Sequence, residues 1–577
     1  MPRQLSPAEQ AAEVALTQVF DAIDQKRSFI LEAGAGAGKT YSLVQSLQRI
    51  IEKDGAAMLR QKQRVACITY TNVAKNEIQE RTGNNPAVVA ETIHSFCWSL
   101  LKSFQPKLRE AINQLPRWPA RLEEAEQETE GKTIKYDLGY PFVKETEIYL
   151  GHDDVIALMV VFLENPKFRA VFVKKFPILF IDEYQDTDKA FAEALQQRFL
   201  NGENELLMGL FGDHWQKIYG TGCGLITSPH LTVIGKRANF RSETAIVDML
   251  NRLRPDLTQE VRDNSTDGST SVYHTNNWSG QRRTDNHWQG DLPAVEAHNH
   301  LVRLKAELEN EGWDFSPRST KILMLTHNVL ADEQGYRNLA NLFPRNESFI
   351  KKEDDYIAFL VDVVEATCAA YSSKRYGEMF ALLGAKFSIS NPADKKRWVE
   401  DMDALLQLRE TGTVGQVLDH LKTTGRPKLT EKIEYSEERL GLLDEEGAEL
   451  SDNDRRHLNR IKELRDIEFK EITSLARFIE DQTPFSTKHS VKGAEFDNVL
   501  VVIGRGWNQY NFVQMLEWMH SGVPTNKQDT FERNRNLFYV ACSRPKKRLA
   551  LLFTQEVSDN ALDELTGLFA SAPTPCP

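Results

Sequence analysis

The chain has 577 residues, of which 41% are hydrophobic and 27% are charged, and its formal net charge at pH 7 is −12. This composition is ordinary for a globular protein with buried cores, and the length predicts several domains. The acidic balance excludes a generally basic nucleic-acid coat, so any contact with nucleic acid must be confined to a local cleft.

Cysteine usage and hydropathy predict the compartment. The six cysteines are scattered without a C-x-x-C pair, which argues against a disulfide framework, a zinc ribbon or an iron–sulfur cluster and is typical of a reducing environment. The sequence shows no secretory start and no apolar stretch long enough to cross a bilayer. We therefore expect a soluble protein of the cytoplasm with no membrane partner.

A phosphate-binding pattern follows the first predicted helix. Residues 29–31 are apolar and predict a buried strand, and apolar residues at helical spacing over 43–51 predict a helix. The connecting loop and the first helical residues are Ala33, Gly34, Ala35, Gly36, Ala37, Gly38, Lys39 and Thr40. Glycines let backbone N–H groups close around phosphate oxygens, while Lys39 would reach the β- and γ-phosphates and Thr40 would bind Mg²⁺. The alternative, a glycine-rich turn that binds nothing, does not account for the strand and helix on either side.

Polar residues flank this loop in the sequence. Gln10 lies on a helix predicted over residues 6–24, and an amide ahead of a phosphate loop can pair with an adenine edge. A strand predicted over 64–70 ends at Tyr70 and is followed by Thr71 and Asn72. Residues 91–101 repeat that layout with Thr92 and His94. Open α/β sheets place their ligands at such strand ends.

An acidic pair follows a region of about 103–172 that we interpret as an insertion. The strand over 176–181 delivers Asp182 and Glu183. Asp182 would hold Mg²⁺, mostly through water, and Glu183 would polarise the attacking water. The alternative is an acidic helix N-terminus, which is favourable in its own right.

Two further polar segments follow apolar strands. The strand over 206–211 precedes Gln216, which could sense the γ-phosphate, and Trp215 or Tyr219 could stack on a base. Phe240 and Arg241 then precede a helical pattern. Residues 256–291 are polar and turn-rich, and the nearby histidines 274, 287, 298 and 300 suggest a metal or nuclease site, but they lack ligand spacing.

The C-terminal half contains a second long insertion at about 345–484, whose later part is densely charged at helical intervals. The sheet pattern returns with His489, Lys492 and Glu495 ahead of a strand over 498–503. The last signature ends at Arg544 and is followed by a strand over 549–553. We expect the tail, residues 571–577, to be disordered.

In this order, the motifs resemble those of the UvrD/Rep-like branch of superfamily 1 DNA helicases, and the resemblance spans the chain from residue 10 to residue 544. The resemblance implies an α/β fold with two RecA-like parallel-sheet domains, a nucleotide cleft between them, and a mainly helical insertion in each. The implied boundaries are 1–102 and 173–227 for domain 1A, 103–172 for insertion 1B, 228–344 and 485–570 for domain 2A, and 345–484 for insertion 2B.

The resemblance also implies a role for each matched residue. Asp182 would be the metal ligand, Glu183 the catalytic base, and Gln216 the residue that couples the nucleotide to DNA. The implied nucleotide contacts are Gln10 at the adenine, Phe240 stacking near it, Glu495 at the ribose, and Arg241 and Arg544 at the γ-phosphate. The implied single-stranded DNA track comprises Tyr70, Thr71, Asn72, Thr92, His94, His489 and Lys492. ATP and Mg²⁺ are the implied cofactors.

Within this family the sequence is similar to the helicase-like subunits of the Gabija anti-phage systems. Those subunits work with an A-type nuclease partner that has an ATPase-like domain and a Toprim domain. One departure from the helicase pattern follows Tyr219, where relatives have an aromatic-Arg-Gly-Ala stretch that stacks a base and this chain has Gly-Thr-Gly-Cys-Gly at 220–224.

Two functional hypotheses follow. The first is an ATP-driven motor that tracks single-stranded DNA with 3′-to-5′ polarity, and the complete set of nucleotide residues favours it. The second is a regulatory ATPase that binds DNA ends or a nuclease and uses its nucleotide state as a switch, and the altered segment 220–224 and the acidic charge favour it. A third interpretation, a small-molecule kinase, does not explain the downstream motifs.

Overall fold

The computed structural model describes residues 4–136, 141–200, 206–218, 220–262, 266–324, 331, 333–343, 347–383, 391–443, 445, 451–480, 482–486, 495–505 and 510–577. Backbone contacts divide the chain into two units. The first unit comprises Met1–Ser271, Phe512–Leu549 and Asp559–Ala572, and the second comprises Val272–Asn511, Ala550–Ser558 and Pro573–Pro577.

The strands of the described residues are β1 (Phe29–Ala33), β2 (Val65–Thr69), β3 (Val88–Thr92), β4 (Thr133–Tyr136), β5 (Phe142–Val143), β6 (Glu147–Leu150), β7 (Ile178–Asp182), β8 (Leu207–Gly212), β9 (Thr232–Lys236), β10 (Ser269–His274), β11 (Thr320–Met324), β12 (Phe485–Ser486), β13 (Phe496–Ile503), β14 (Pro545–Phe553) and β15 (Thr574–Pro575).

The helices up to residue 310 are α1 (Pro7–Asp24), α2 (Lys39–Ile50), α3 (Ala56–Arg60), α4 (Asn72–Arg81), α5 (Ile93–Leu101), α6 (Gln105–Ile112), α7 (Trp118–Glu124), α8 (His152–Leu163), α9 (Pro166–Lys175), α10 (Lys189–Phe199), α11 (Thr244–Leu253) and α12 (Ala294–Asn310). Helix α1 begins as the sequence predicts, with a capping box between Ser6 and Glu9 and a proline in its first turn. Short 3₁₀ turns at Tyr184–Asp186 and His214–Gln216 follow β7 and β8.

The later helices are α13 (Arg337–Leu342), α14 (Glu347–Ile350), α15 (Asp355–Phe359), α16 (Ala366–Ser372), α17 (Tyr376–Leu382), α18 (Pro392–Thr411), α19 (Val414–Thr424), α20 (Glu431–Arg439), α21 (Asp452–Asp466), α22 (Phe469–Ile479), α23 (Phe512–Ser521), α24 (Gln528–Cys542) and α25 (Asp559–Phe569). Among the described residues, no helix is both long and apolar enough to span a membrane.

The first unit is built on a six-stranded sheet with the order β3-β2-β7-β8-β1-β9. All of its neighbouring strands are parallel, so their carboxyl ends lie along one edge. Strand β1 is buried throughout, and Phe29 packs edge-on against Phe180 and Phe211 of neighbouring strands. Because both faces of such a sheet are covered, its strands are continuous apolar runs, which explains why the sequence predicts them well.

A second six-stranded sheet, most of which belongs to the second unit, has the order β12-β11-β13-β14-β10-β15. Strand β11 pairs in parallel with β12 and with β13. When the strands of each sheet are counted along the chain, both sheets follow the order 3-2-4-5-1-6. The predicted α/β fold with two RecA-like parallel-sheet domains is confirmed.

Three expectations about the path of the chain are wrong. Strand β9 pairs with β1, so the first sheet continues beyond the expected boundary at residue 227. Strand β10 lies within the stretch predicted to be turn-rich, and its polar sequence hid it. The tail expected to be disordered forms β15 on β10, and Cys576 is 2% exposed. A strand that obtains its hydrogen bonds from a neighbour needs no apolar pattern of its own.

The two long regions expected to be helical insertions differ in content. Region 103–172 contains α6 to α9 and also a small sheet with the order β4-β6-β5. In region 345–484 the described residues form helices α14 to α22. These helices share one large hydrophobic core with the second sheet, and that core includes Trp398, Leu405 and Leu475.

Candidate nucleotide site

The phosphate loop joins β1 to α2, as the sequence predicts. Gly36 and Gly38 have φ values of +73° and +71°, a backbone conformation that other residues rarely adopt. Gly38 is the N-cap of α2, and no side chain of the described residues caps that end. The first N–H groups of a helix without such a cap are donors for an anion.

Residues far along the chain brace this loop from outside. The amide groups of Asn239 and Gln259 donate hydrogen bonds to the Ala35 carbonyl oxygen at 3.2 and 3.1 Å. The Tyr539 hydroxyl accepts the Ala35 N–H at 3.1 Å. A Cβ atom on Gly36 would lie 2.7 Å from the Asn239 side chain. A glycine is therefore required where this brace approaches the loop.

Lys39 and Glu183 form an ion pair in which Lys39 Nζ lies 2.7 Å from Glu183 Oε1. Burial disfavours the charged lysine, but Glu183, Asp182 and Asp213 outweigh that effect and raise the pKa of Lys39. Glu183 has φ +51°, a left-handed conformation that is uncommon for a residue with a side chain. Its position one residue after β7 places its carboxylate at the same sheet edge as the phosphate loop.

Buried hydrogen bonds continue from Glu183 through the end of β8. Gln185 Nε2 donates to Glu183 at 2.6 Å, and Gln185 Oε1 accepts the Asp213 N–H at 3.1 Å. Gln216 Nε2 donates to Asp213 at 2.8 Å, and Gln216 Oε1 accepts from Arg544 at 3.2 Å. One continuous network therefore joins six residues, namely Lys39, Glu183, Gln185, Asp213, Gln216 and Arg544.

The two arginines proposed to reach the γ-phosphate are neighbours in the first unit. Arg544 is 1% exposed, and its Nε donates to the Val540 carbonyl oxygen at 2.9 Å. Arg241 donates to the Ser543 carbonyl oxygen at 3.0 Å. Burial, together with the charge of Arg241, lowers the pKa of Arg544 to about 9. Arg544 therefore remains charged at neutral pH.

Arg254 organises a group of charges that sequence reasoning missed. Its guanidinium lies 2.5 Å from Asp213 and 3.5 Å from Glu32, and Arg254 itself is 2% exposed. The Tyr184 hydroxyl donates to Glu32, and His214 Nδ1 lies 3.1 Å from that carboxylate. Glu32, Asp213 and His214 have the spacing of a metal site, but the Arg254 guanidinium already pairs with both carboxylates. The signal in the sequence that could have indicated this buried group is Glu32, a glutamate within the otherwise apolar strand β1.

The structure contradicts the expectation that Trp215 stacks on a DNA base. Trp215 is 7% exposed and packs edge-on against Tyr539. The guanidinium of Arg535 lies 3.8 Å from the indole centroid, and that of Arg254 lies 5.2 Å from it. Because two guanidinium groups and Tyr539 pack against this buried ring, it is not available for base stacking.

The remaining predicted nucleotide contacts are Gln10, Phe240 and Glu495. Gln10 is exposed, and its amide donates to the Leu5 carbonyl oxygen at 2.7 Å. The Phe240 N–H donates to the Gly36 carbonyl oxygen at 2.9 Å, which places this residue beside the phosphate loop. Glu495 is exposed immediately before β13 in the second unit.

The predicted DNA residues of the first unit come together at one edge of the sheet. Thr69, the last residue of β2, is in register with Thr92, the last residue of β3. Tyr70, Thr71 and Asn72 are exposed just beyond β2, and Thr71 also caps α4. His94 stacks edge-on against His152 with 4.7 Å between ring centroids, and burial, followed by the charge of His152, lowers its pKa.

Tyr219, His489 and Lys492 lie outside the described residues. The suggested histidine site in the second unit is not assembled among the described residues, because His298 pairs with Glu333 and His300 contacts Arg303.

The loop and its surroundings are chemically suited to a nucleoside triphosphate with Mg²⁺. Thr40 lies in the first turn of α2 and Asp182 at the end of β7, and both offer the oxygen atoms that Mg²⁺ prefers. The left-handed glycines 36 and 38 provide a concave backbone without side chains, and Lys39 provides a positive charge beside it.

Comparisons with known proteins indicate the family of this chain. The AAA domain family model matches residues 17–222, and the UvrD-like helicase C-terminal domain model matches residues 324–556. Gabija protein GajB from Bacillus cereus (strain HuB5-5) is 25% identical over 94% of this chain and 95% of its own length. The ATP-dependent DNA helicase PcrA from Staphylococcus aureus (strain Mu50 / ATCC 700699) is 24% identical over 44% of this chain and 40% of its own length.

The AAA domain match is followed along the chain by the UvrD-like helicase C-terminal domain match, and GajB aligns with nearly the whole chain. The chain therefore belongs to the UvrD-like helicases, which hydrolyse ATP, and it is related to GajB.

Proposed function

We propose that this protein is an ATP-driven motor that acts on single-stranded DNA with 3′-to-5′ polarity. The observation that carries the proposal is the continuous network from Lys39 to Arg544 through Glu183, Asp213 and Gln216. A protein that only binds nucleotide has no need of a buried arginine linked in this way to the carboxylate beside the phosphate loop. Phosphoryl transfer needs such a link because it depends on electrostatic stabilisation of the transferring group.

The proposed roles follow from position and charge. Lys39 and the loop N–H groups bind the phosphates, and Thr40 and Asp182 hold Mg²⁺, which supplies charge neutralisation when bound. Glu183 accepts the proton of the attacking water. For this, Lys39 must leave its ion pair with Glu183 and bind the phosphates of ATP instead. Arg241 and Arg544 stabilise the γ-phosphate, and Gln216 couples the bound γ-phosphate to the DNA site. Gln10, Phe240 and Glu495 contact the nucleoside.

The proposed DNA path follows the sheet edge that carries Tyr70, Thr71, Asn72, Thr92 and His94. These residues are exposed or half-buried and combine an aromatic ring with hydrogen-bonding groups, which suits base stacking and phosphate contact. His489 and Lys492 extend the proposed path in the second unit. The similarity to GajB supports a role in anti-phage defence with an A-type nuclease partner.

A second candidate is a DNA-sensing ATPase that controls a nuclease without processive unwinding. The covered faces of Trp215 favour it. So does the packing of segment 221–224, which is held against the turn that follows Glu183. In that packing the Cys223 N–H donates to the Thr187 carbonyl oxygen at 2.8 Å, and the Gly224 N–H donates to the Gln185 carbonyl oxygen at 3.1 Å. A segment occupied in this way does not offer a base-stacking residue.

The test measures ATP hydrolysis and strand displacement with the full chain. We expect single-stranded DNA to stimulate hydrolysis, and a duplex with a 3′ tail to be unwound while one with a 5′ tail is not. Stimulation without displacement of either duplex would support the DNA-sensing ATPase. Hydrolysis that is indifferent to DNA of several lengths and end structures would contradict both candidates.

Substitution of the proposed base tests the roles within the site. Glu183→Gln should retain ATP binding but reduce turnover by about a hundredfold or more, because it removes the proton acceptor and leaves the phosphate and metal ligands in place. Lys39→Ala should instead weaken binding. Wild-type turnover in Glu183→Gln would show that the roles are assigned incorrectly.

A further inference from the structure

The second unit contains a cavity of about 560 Å³ at one edge of its sheet. Met324 at the end of β11, Gly504 just after β13 and Thr554 just after β14 contribute to its wall. The ligand sites of open α/β sheets lie beyond the carboxyl ends of their strands, and this volume is within the range of small-molecule sites.

The connection between β10 and α12 forms another wall of the cavity. Strand β10 occupies the same position in the second sheet as β1 occupies in the first sheet. The connection that follows β10 therefore corresponds in topology to the phosphate loop, which follows β1. The first turn of α12, including Ala294 and Val295, lines the cavity. No side chain of the described residues caps that helix, so its first N–H groups are donors for an anion.

An aromatic and cationic pair also belongs to this connection. Trp288 and Arg283 both line the cavity, and the Arg283 guanidinium lies 4.0 Å from the indole centroid. A salt bridge of 2.7 Å to Asp285 holds Arg283 in place. Indole and guanidinium planes are the surfaces on which nucleic-acid bases stack.

Two arginines, Arg505 and Arg337, contribute side chains to the opposite wall, beside the carboxyl groups of Asp291 and Glu333. The buried Nε of Arg505 has no hydrogen-bond acceptor among the described residues. The carboxylate of Asp291 accepts the backbone N–H groups of Arg505 at 2.6 Å and Leu292 at 2.9 Å, and burial raises the pKa of this carboxyl group. The other acidic residue of the wall, Glu333, is paired with His298 at 2.9 Å.

We infer that this cavity is a second nucleotide site, separate from the phosphate loop. The base would stack at Trp288, and the phosphates would lie at the start of α12 and against Arg505 and Arg337. Planar guanidinium groups suit phosphate oxygens, and an uncapped helix start adds N–H donors. The nucleotide could be free or could be one unit of a DNA strand, because the two share this chemistry.

The experiment is equilibrium dialysis of the full chain with radiolabelled ADP, measured as moles bound per mole of protein. Wild type should bind two ADP, and Lys39→Ala should bind one. Trp288→Ala and Arg505→Gln should each keep the phosphate-loop site but weaken the second site by about tenfold or more, because base stacking or a phosphate contact is lost. The double variant Lys39→Ala with Trp288→Ala should bind none.

Trp278→Ala is the matched control, since Trp278 belongs to the same connection and lies under Arg282 but does not line the cavity. Circular dichroism and the thermal midpoint exclude misfolding as the cause of any loss. A single ADP on wild type with none on Lys39→Ala would overturn the inference. Unchanged ADP binding in Lys39→Ala chains that also carry Trp288→Ala or Arg505→Gln would overturn it as well.

A single-stranded thymidine oligomer added to ADP-loaded Lys39→Ala distinguishes the two sources. Displacement of ADP would show that the site takes a nucleotide unit of a strand, and retention would show that it takes a free nucleotide. DNA-stimulated hydrolysis of Trp288→Ala, measured in parallel, keeps this inference separate from the proposed motor function.

Discussion

At the scale of single residues, the nucleotide site depends on buried charged groups that pair with one another. Glu32 is 6% exposed, Asp213 is 0% exposed, and the guanidinium of Arg254 lies beside both carboxylates. Removing one member of such a group leaves an uncompensated buried charge, which costs far more than the intact group contributes. Arg254 therefore sets the orientation of Asp213 and, through it, of the Gln216 amide.

We predict that Arg254→Met lowers stability by about 3–5 kcal/mol, the usual cost of breaking a buried ion pair. Turnover should also fall, because Asp213 and, through it, the Gln216 amide lose the guanidinium that orients them. The measurements are the thermal midpoint and the kcat and KM of ATP hydrolysis. Arg252→Met in the last turn of α11, two residues before Arg254, is the control, because it loses one hydrogen bond, to the Leu568 carbonyl oxygen. A wild-type kcat in Arg254→Met would contradict the positioning role.

A buried lysine gives a second prediction at this scale. Lys236 is 1% exposed and donates to the Gly38 carbonyl oxygen at 2.9 Å and to Ser42 Oγ at 2.7 Å. Burial lowers its pKa from 10.5 to about 8. The unfolded chain therefore binds more protons between those pH values, and the free energy of unfolding should rise as the pH increases from about 8 towards 10.

The check compares wild type with Lys236→Met across this range. The stability of wild type relative to the variant should increase with pH, by a total on the order of 3 kcal/mol, because the buried charge is lost. The difference in thermal midpoint, followed from pH 7 to pH 10, measures this effect and cancels the titration of other groups. A constant difference would mean that Lys236 keeps an ordinary pKa.

At the scale of elements, the site is assembled from turns that follow parallel strands. The turn after β7 carries Glu183 and Gln185, and segment 221–224 packs on it through backbone hydrogen bonds. Gly222 makes this packing close, because a Cβ atom there would lie 2.5 Å from the Gln185 carbonyl oxygen. The glycine-rich stretch that departs from the helicase pattern thus supports the carboxylate beside Lys39.

We predict that Gly222→Ala lowers the rate of ATP hydrolysis by about tenfold, because the added methyl group displaces the turn that positions Glu183, and small displacements of a reacting group are costly. Gly220→Ala is a matched control in the same segment, since a Cβ atom there meets nothing within 4 Å. The turnover in steady-state hydrolysis should be lower for Gly222→Ala than for Gly220→Ala. Equal rates would show that the segment does not support the site.

At the scale of the whole molecule, ATP and DNA should affect one another's binding. The network ends at Gln216 and Arg544, while the proposed DNA residues lie at the ends of β2 and β3 in the same parallel sheet. Thermodynamic linkage requires that DNA increases the affinity for ATP by the same factor as ATP increases the affinity for DNA.

We predict that Arg544→Ala reduces both hydrolysis and this mutual tightening. The measurement is a binding cycle with a non-hydrolysable ATP analogue, with and without single-stranded DNA. Affinity for DNA alone should be unchanged in the variant and should weaken as salt rises in both proteins, because phosphate contacts release counterions. Equal coupling in wild type and Arg544→Ala would show that Arg544 is not part of the link.

The sequence by itself determined what is local along the chain. The strand, glycine-rich loop and helix at 29–51, the acidic pair after β7 and the parallel α/β class are visible because each depends on contiguous residues and on apolar runs. The order of the motifs was sufficient to indicate the helicase family.

Only the tertiary structure decided which distant residues complete the site. Gln259 and Tyr539 contact Ala35 from more than 200 residues away, and Arg254 reaches Glu32 in the same manner. A contact between distant residues leaves no periodic pattern in the sequence. Burial is likewise a property of the folded chain, so the sequence suggested Trp215 as a stacking surface whereas the structure buries it against two arginines. Strand β10, with its polar sequence, is a strand because β14 and β15 supply its hydrogen-bonding partners.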